Sequence, residues 1–251
     1  MALPDAVRLA KASLSRAGKN AAGLFFPALC IACGAPCSRE SAWLCGRCEA
    51  LLAKNHHDRD ACPLCAQNRS FTECACEYAW DYPFERIYSL FDFDDIVKHI
   101  AHAFKYGNLK RLAFFMGRSY AHCVPPDFWE GLDVAVPVPL HFLRALKRGY
   151  NQADYFAAGI VASGPGRPVL CRHALQRRKP TRTQTALARK DRLKNLAGAF
   201  WVPPGRSHCI RDKGVVLVDD IVTTGATTSQ CAQALLAAGA AKVRVLSLAR
   251  D

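Results

Sequence analysis

No apolar run in this chain reaches the roughly 18–20 residues that a membrane-spanning helix requires, so no such helix is expected. Acidic residues are also in short supply. Twenty-one Asp and Glu face 34 Lys and Arg, giving a formal charge of +13 and a pI near 9.3. That imbalance points to a polyanionic partner, whether nucleic acid, phosphorylated metabolite or anionic surface, and does not by itself choose among them. Apolar residues are not lacking: they make up 51% of the chain, which excludes disorder as the default state. A chain of 251 residues accommodates one large domain and a small one. The segment Ala21 to Cys33 follows Arg16 and Lys19 and has the outline of a secretion signal. Pro27 interrupts it, and its end belongs to a Cys-x-x-Cys unit that processing would cut through. Leu3 to Leu14 is expected to form a short amphipathic helix and residues 24–29 an apolar lead-in, in a cytoplasmic protein without membrane insertion.

The 13 cysteines are unevenly spread, nine of them between Cys30 and Cys76. Cys30-x-x-Cys33 and Cys45-x-x-Cys48, with eleven residues between the pairs, have close to zinc-ribbon spacing, in which two knuckles complete a tetrahedral thiolate site. A second set follows: Cys62-x-x-Cys65, then Cys74-x-Cys76, whose spacing is one residue tighter than the usual knuckle. One or two structural Zn²⁺ ions are therefore expected, with Cys37 an extra thiol near the first site and the pairing of knuckles open. So small a segment has too few apolar residues for its own core, and zinc would supply folding free energy on the order of 10 kcal/mol.

The most informative stretch is Val215 to Thr228, VVLVDDIVTTGATT. Four branched apolar residues, Val215 to Val218, fit a strand covered on both faces. The acidic pair Asp219 and Asp220 follows, then Thr223, Thr224, Gly225, Ala226, Thr227 and Thr228 lead into a helix rich in Ala and Leu. Backbone N–H groups, hydroxyls and a flexible glycine at a helix N-terminus make a phosphate site. Two carboxylates beside it suit ribose hydroxyls or Mg²⁺ at a diphosphate. The segment resembles the 5-phosphoribosyl-1-diphosphate (PRPP) signature of type I phosphoribosyltransferases. That resemblance implies that Asp219 and Asp220 contact ribose and that residues 223–228 wrap the 5′-phosphate.

Earlier in the chain, residues 87–93 have the pattern of a strand. Residues 94–106 fit a helix capped by Asp94 and stopped by Gly107, and 109–123 a further helix. The aromatic residues Phe84, Tyr88, Phe91 and Phe93 are expected in the core. Asp133 to Leu140 is a second buried strand, running into a basic stretch with Arg144, Lys147, Arg148, Gly149, Asn151 and Gln152 that suits a diphosphate. Residues 172–194 carry nine Lys or Arg and one acid. Within them Lys179 to Thr185, with Thr183, Gln184 and the later Arg189, resembles the loop that closes over PRPP in phosphoribosyltransferases; as a plain solvated basic loop it would serve a polyanion equally well. Leu187 to Leu196 is expected to be helical and Val243 to Leu248 to be the last strand.

Zinc knuckles, PVPLH, RGYNQ, a basic TQT loop with RKDRLKNLAGAF, and VLVDDIVTTGAT, in that order, resemble the ComF family of competence-related proteins from about residue 24 onward. Departures are the tight Cys74-x-Cys76 spacing, Tyr150 where Phe is usual, and the extra residues 1–23. The resemblance implies an α/β fold, a type I phosphoribosyltransferase-like (Rossmann-like), mostly parallel sheet flanked by helices, with a small zinc-ribbon module. The expected division is an N-terminal helical extension (1–23), a double zinc-ribbon module (24–77) and a phosphoribosyltransferase-like domain (78–251). It also implies PRPP with Mg²⁺ as ligand, single-stranded DNA as partner, and association with a DNA-uptake helicase or recombination proteins. Two functions follow from it: PRPP binding in single-stranded DNA uptake or utilisation, or transfer of ribose 5-phosphate to an unidentified base or nucleotide. The chain ends three residues after the last expected strand, leaving no C-terminal hood over an acceptor base, which favours the first.

Overall fold

The computed structural model of the protein describes residues 29–37, 43–55, 61–66, 82–107, 109–140, 146, 148–166, 168–178, 196 and 198–251. The extension over 1–23, Cys74, Cys76, Arg144, Lys147 and the loop residues Lys179, Thr183, Gln184, Thr185 and Arg189 lie outside that set, as does most of the helix expected at 187–196. Among the described residues no helix is long and apolar enough to cross a membrane.

Five parallel strands form the main sheet in the order β1-β7-β6-β2-β3. They are β1 (Arg86–Asp92), β2 (Val134–Pro137), β3 (Val169–Leu170), β6 (Gly214–Val222) and β7 (Lys242–Arg250). At the centre, Val215 pairs with Val134 on one side and Val243 on the other. Alternate residues of these strands enter two cores. Val216, Val218, Leu246 and Leu248 pack with Phe91, Phe104 and Phe156 on one face, and Val215, Leu217, Val243 and Val245 pack with Cys231 and Leu235 on the other. A sheet covered on both faces explains why Val134 to Val136 and Val215 to Val218 are continuous apolar runs rather than alternating ones.

The first face is covered by α2 (Asp95–Tyr106), α3 (Lys110–Tyr120) and α4 (Gln152–Ser163), the second by α5 (Ala226–Ala237); α1 (Gly46–Lys54) follows the first cysteine knuckles. Asp94 caps α2 as expected, its carboxylate accepting from Val97 N at 2.8 Å. Helix α4 is the one long element the sequence pattern did not suggest: it is apolar nearly all round, so no stripe of period 3.6 marks it. It is gripped by α3 through two glycines. A Cβ at Gly117 would overlap the Phe156 carbonyl oxygen, and one at Gly159 the Phe114 carbonyl oxygen. Gly159→Val is therefore expected to force the helices apart, at about 1–3 kcal/mol or more, read as a Tm drop of roughly 5–10 °C.

Several boundaries differ from expectation: the strand expected over 133–140 is Val134–Pro137, and the one expected over 243–248 is Lys242–Arg250. The central strand does not end at Val218 but runs to Val222, because β7 keeps pairing with it: Asp219 opposes Ser247 and Ile221 opposes Ala249. The Asp pair thus sits within the strand's last residues, and the loop to α5 is only residues 223–225. A separate antiparallel pair, β4 (Gln176–Arg177) with β5 (Phe200–Trp201), joins the ends of the basic segment; strands of two residues are too short to leave an alternation in the sequence.

Candidate functional site

At its carboxyl end β2 stops at Pro137 beside Val218, with Val138 N donating to Val218 O at 2.8 Å, and β6 runs four residues further, to Val222. Ligands of open parallel sheets bind outside such ends. Asp219 Oδ1 accepts from Asp220 N at 2.8 Å and Asp220 Oδ1 from Ile221 N at 2.9 Å, so each carboxylate is braced by the next backbone amide. Burial, followed by the charge of Asp220, pushes the Asp219 carboxyl well above the usual carboxylate range. Lys105, near the end of α2, stands 3.6 Å from Asp220 Oδ2 and relieves part of that repulsion.

Past the acids the chain turns through Gly225 at φ +74°, a left-handed conformation that favours glycine. Thr224 Oγ1 accepts from Ala226 N at 3.4 Å, and Thr228 Oγ1 donates to Gly225 O at 2.9 Å. Thr223 is exposed, Thr227 half-buried and Thr228 buried, and α5 begins at Ala226. The expected residues 223–228 are thus together at one helix N-terminus, the last three within its first turn.

Beyond the end of β2, Pro137, Gly149, Tyr150, Asn151, Asp154 and His173 border a cavity of about 250 Å³. Asn151 Nδ2 donates to Val138 O at 3.0 Å, and Tyr150 OH donates to Phe104 O, which fixes the turn after Arg148 against the sheet end. Burial raises the Asp154 carboxyl, with His173 and Arg172 opposing. Gln152 is buried to 1% exposure, and its amide nitrogen and oxygen have no hydrogen-bond partner among the described residues, an arrangement costly unless something else satisfies it. Of the expected basic loop, Arg148 is described and half-buried beside this cavity's Gly149.

One contributor had no signal in the sequence. Arg250, at the end of β7, donates from Nε to Cys65 O at 2.6 Å and from a terminal nitrogen to Val222 O at 3.1 Å and to Thr223 O. It links the second cysteine pair to the backbone entering the threonine loop. Tyr82 stands against Gly225 from the same side, and Ile87 N donates to Pro63 O at 2.7 Å.

Cys30, Cys33, Cys45 and Cys48 bring four sulfurs within 4.8 Å of one another. A tetrahedral Zn²⁺ with Zn–S bonds near 2.3 Å separates its sulfurs by about 3.8 Å, and Cys33 and Cys45 stand at 3.6 Å. The four could hold a zinc ion. Burial works against the Cys30 thiolate, but backbone N–H groups of Cys45, Cys33 and Ala32 bring its pKa down to about 7. Burial, then contacts with the Cys33 and Cys45 thiols, push Cys48 up. Cys37 is buried and is not one of the four. Cys62 and Cys65 are buried together beside Leu64 and Tyr82, and the other half of their expected set lies outside the described residues.

No family model matches the chain. It is 28% identical over 236 residues to the DNA utilization protein YhgH of Escherichia coli (strain K12), covering 90% of this chain and 99% of that protein. Over 118 residues it is 36% identical to competence protein F of Haemophilus influenzae, covering 47% of this chain and 50% of that one. With the competence protein ComFC of Bacillus subtilis (strain 168) it shares 23% identity over 253 residues, 92% of this chain and 99% of that one.

Proposed function

We infer that this chain, which belongs to the ComF family of competence and DNA-utilisation proteins, is a PRPP-binding, phosphoribosyltransferase-like protein that acts on single-stranded DNA during its uptake or utilisation. The names of its relatives support the role in DNA uptake or utilisation. The observation that carries the PRPP reading is the placement of Asp219 and Asp220 near the end of β6, five residues before a helix opened by left-handed Gly225. The acids orient the ribose hydroxyls. Thr223, Thr224, Gly225, Ala226, Thr227 and Thr228 enclose the 5′-phosphate with hydroxyls, backbone N–H groups and the helix dipole. Arg144, Lys147 and Arg148 meet the diphosphate, and the loop bearing Lys179, Thr183, Gln184, Thr185 and Arg189 closes over it and excludes water. Mg²⁺ bound with PRPP would neutralise diphosphate charge there.

Transfer of ribose 5-phosphate to a base or nucleotide is the second reading. One observation favours it: the raised carboxyl of Asp154 borders the same cavity as Asn151, and a protonated acid there suits a departing diphosphate. Such catalysis would rest on positioning and electrostatics at the anomeric carbon.

The deciding experiment is calorimetric titration with PRPP and Mg²⁺, with and without a short single-stranded oligonucleotide, at fixed salt. Saturable PRPP binding supports the reading, and a shift with DNA justifies assaying ribosyl transfer to the strand. Absence of PRPP heat with DNA binding intact overturns it. Arg250 supplies a second check. Its removal takes the charged donor from Thr223 O and one of two donors from Val222 O, which keeps Asp251 N at 2.9 Å, and slackens the phosphate loop, so Arg250→Leu is expected to weaken PRPP about tenfold, the size of one lost charged hydrogen bond.

A further inference from the structure

The basic segment opens and closes on the β4–β5 pair, and an open groove of about 830 Å³ runs beside that pair, away from the acidic site. Its walls are Trp201 and Val202 of the hairpin, Pro204 and Ser207 of the following 3-10 helix, and Arg211; its floor is the small-residue end of α5 at Ala234, Ala237 and Ala238. Helix α5 spans the distance between the two places, about 18 Å at 1.5 Å per residue. The groove is neither a continuation of the PRPP cavity nor used by the chemistry proposed there.

Charge and aromatic surface meet in it. The Arg178 guanidinium lies 3.4 Å from the centre of the Trp201 ring, and Arg177 lies 5.3 Å from that of Phe200. Arg178, Arg206 and Arg211 are exposed, and His208 and Lys213 are close by in the chain. Asp212 is the one acid lining the groove among the described residues. Arg211 packs along Gly239, where its Cγ would stand 3.4 Å from an added Cβ, so its stem covers the floor and its charge reaches the rim. An indole wall, an apolar floor of alanines and a rim of arginines match a strand with unpaired bases: flat apolar rings to stack, and phosphates on one edge to neutralise. A duplex hides its base faces and would use only the rim.

We propose that the Trp201 groove is a binding site for single-stranded nucleic acid, in which a base stacks on Trp201 while Arg178, Arg206 and Arg211 take the flanking phosphates. The proposal rests on reading the protein as a handler of single-stranded DNA and adds where the strand is held. On binding, a base takes the ring face that Arg178 now covers, and the guanidinium moves onto a phosphate. Because Arg178 immediately precedes the basic loop, a strand seated here lies at the root of the segment expected to close over PRPP.

The test is fluorescence anisotropy of a labelled oligo-dT of about 15 nucleotides, a length within the usual site size, at two or more salt concentrations. Trp201→Ala should weaken binding about tenfold, and Trp201→Phe, which keeps a stacking face, should stay within about threefold of the parent. The exposed Arg178→Ala, Arg206→Ala and Arg211→Ala changes test the rim without disturbing the core. Combined, they should flatten the dependence of log affinity on log salt by about 2, near 0.7 for each phosphate left without its arginine. Oligo-U in place of oligo-dT separates RNA from DNA as the natural strand, and binding of either supports the groove. Affinity unchanged by both the Trp201→Ala and the triple arginine variant overturns the proposal, as does equal competition by polyglutamate, which has charge but no bases. PRPP calorimetry on the same variants keeps the two readings apart: loss of DNA with PRPP binding retained belongs to the groove, and loss of PRPP in the parent leaves the groove standing.

Discussion

Replacing Asp219 and Asp220 together by asparagine is expected to abolish PRPP binding and yet yield a protein that melts at a higher temperature than the parent. The first effect follows from the proposed contacts. Hydrogen bonds from hydroxyls to carboxylates contribute about 1.5–3 kcal/mol each, so losing two weakens binding by a factor on the order of 100 or more. The second follows from burial. Asp219 is pressed into the end of the sheet, burial and the neighbouring Asp220 charge both raise its carboxyl, and Lys105 is 3.6 Å from the other acid. A carboxyl whose pKa is higher in the folded than in the unfolded chain holds a proton that unfolding releases. Stability therefore falls as pH rises from the unfolded value, about 3.9, to the folded one, and the full penalty applies above it. Asparagine carries no such penalty and can still accept the bracing bonds from Asp220 N and Ile221 N through its amide oxygen. A rise in Tm at neutral pH is expected, shrinking as pH falls toward 4. Thermal melts across pH with parallel calorimetry measure both effects. A double variant that binds PRPP like the parent ends the PRPP reading, whatever its Tm.

That trade of stability for function also explains what was legible in the sequence. Burial on both faces makes Val215 to Val218 of β6 a continuous apolar run, and the polar break at Asp219, Asp220 and Thr223 violates the pattern just where a strand should end. The break was visible; that pairing with β7 carries the strand through it was not, because register depends on Ser247 and Ala249, some thirty residues away. Capping by Asp94 is local chemistry and was readable. Helix α4 was not, since a helix wedged against both sheet and α3 shows no polar face, and its glycine contact needs the partner Gly117 to acquire meaning. Arg250 was silent for the same reason: a cation at a chain end looks solvated until Cys65, Val222 and Thr223 are seen to present their carbonyls to it. Spacing did suffice for the first four cysteines, because a metal site is specified by a few residues at short range.

Those four cysteines support the largest expected stability effect. Cys30, Leu44, Cys48 and Leu52 belong to the same apolar cluster as Leu90, Phe91 and Phe104, and Asn55, at the end of α1, donates to Asp92 O at 3.0 Å. The knuckles therefore pack into the main core rather than hanging from it. A Zn²⁺ held by the four would supply on the order of 10 kcal/mol to the ordering of such a segment, and its removal would expose that side of the core and leave buried thiols without a partner. Cys48→Ala, or exhaustive chelation, is expected to lower Tm by roughly 10 °C or more, the shift that about 4 kcal/mol produces in a chain of this size. Elemental analysis should show one zinc fewer per chain in Cys48→Ala. Cys62→Ser distinguishes the second set: a further loss of zinc assigns it a metal, and unchanged zinc makes Cys62 and Cys65 a packed thiol pair beneath Arg250. If Cys48→Ala keeps both its zinc and its Tm, the four-sulfur cluster is not a metal site. Should chelation also weaken PRPP, the Arg250 bridge from Cys65 to the threonine loop gives the physical route, and Arg250→Leu should then remove most of the chelator's effect on PRPP affinity.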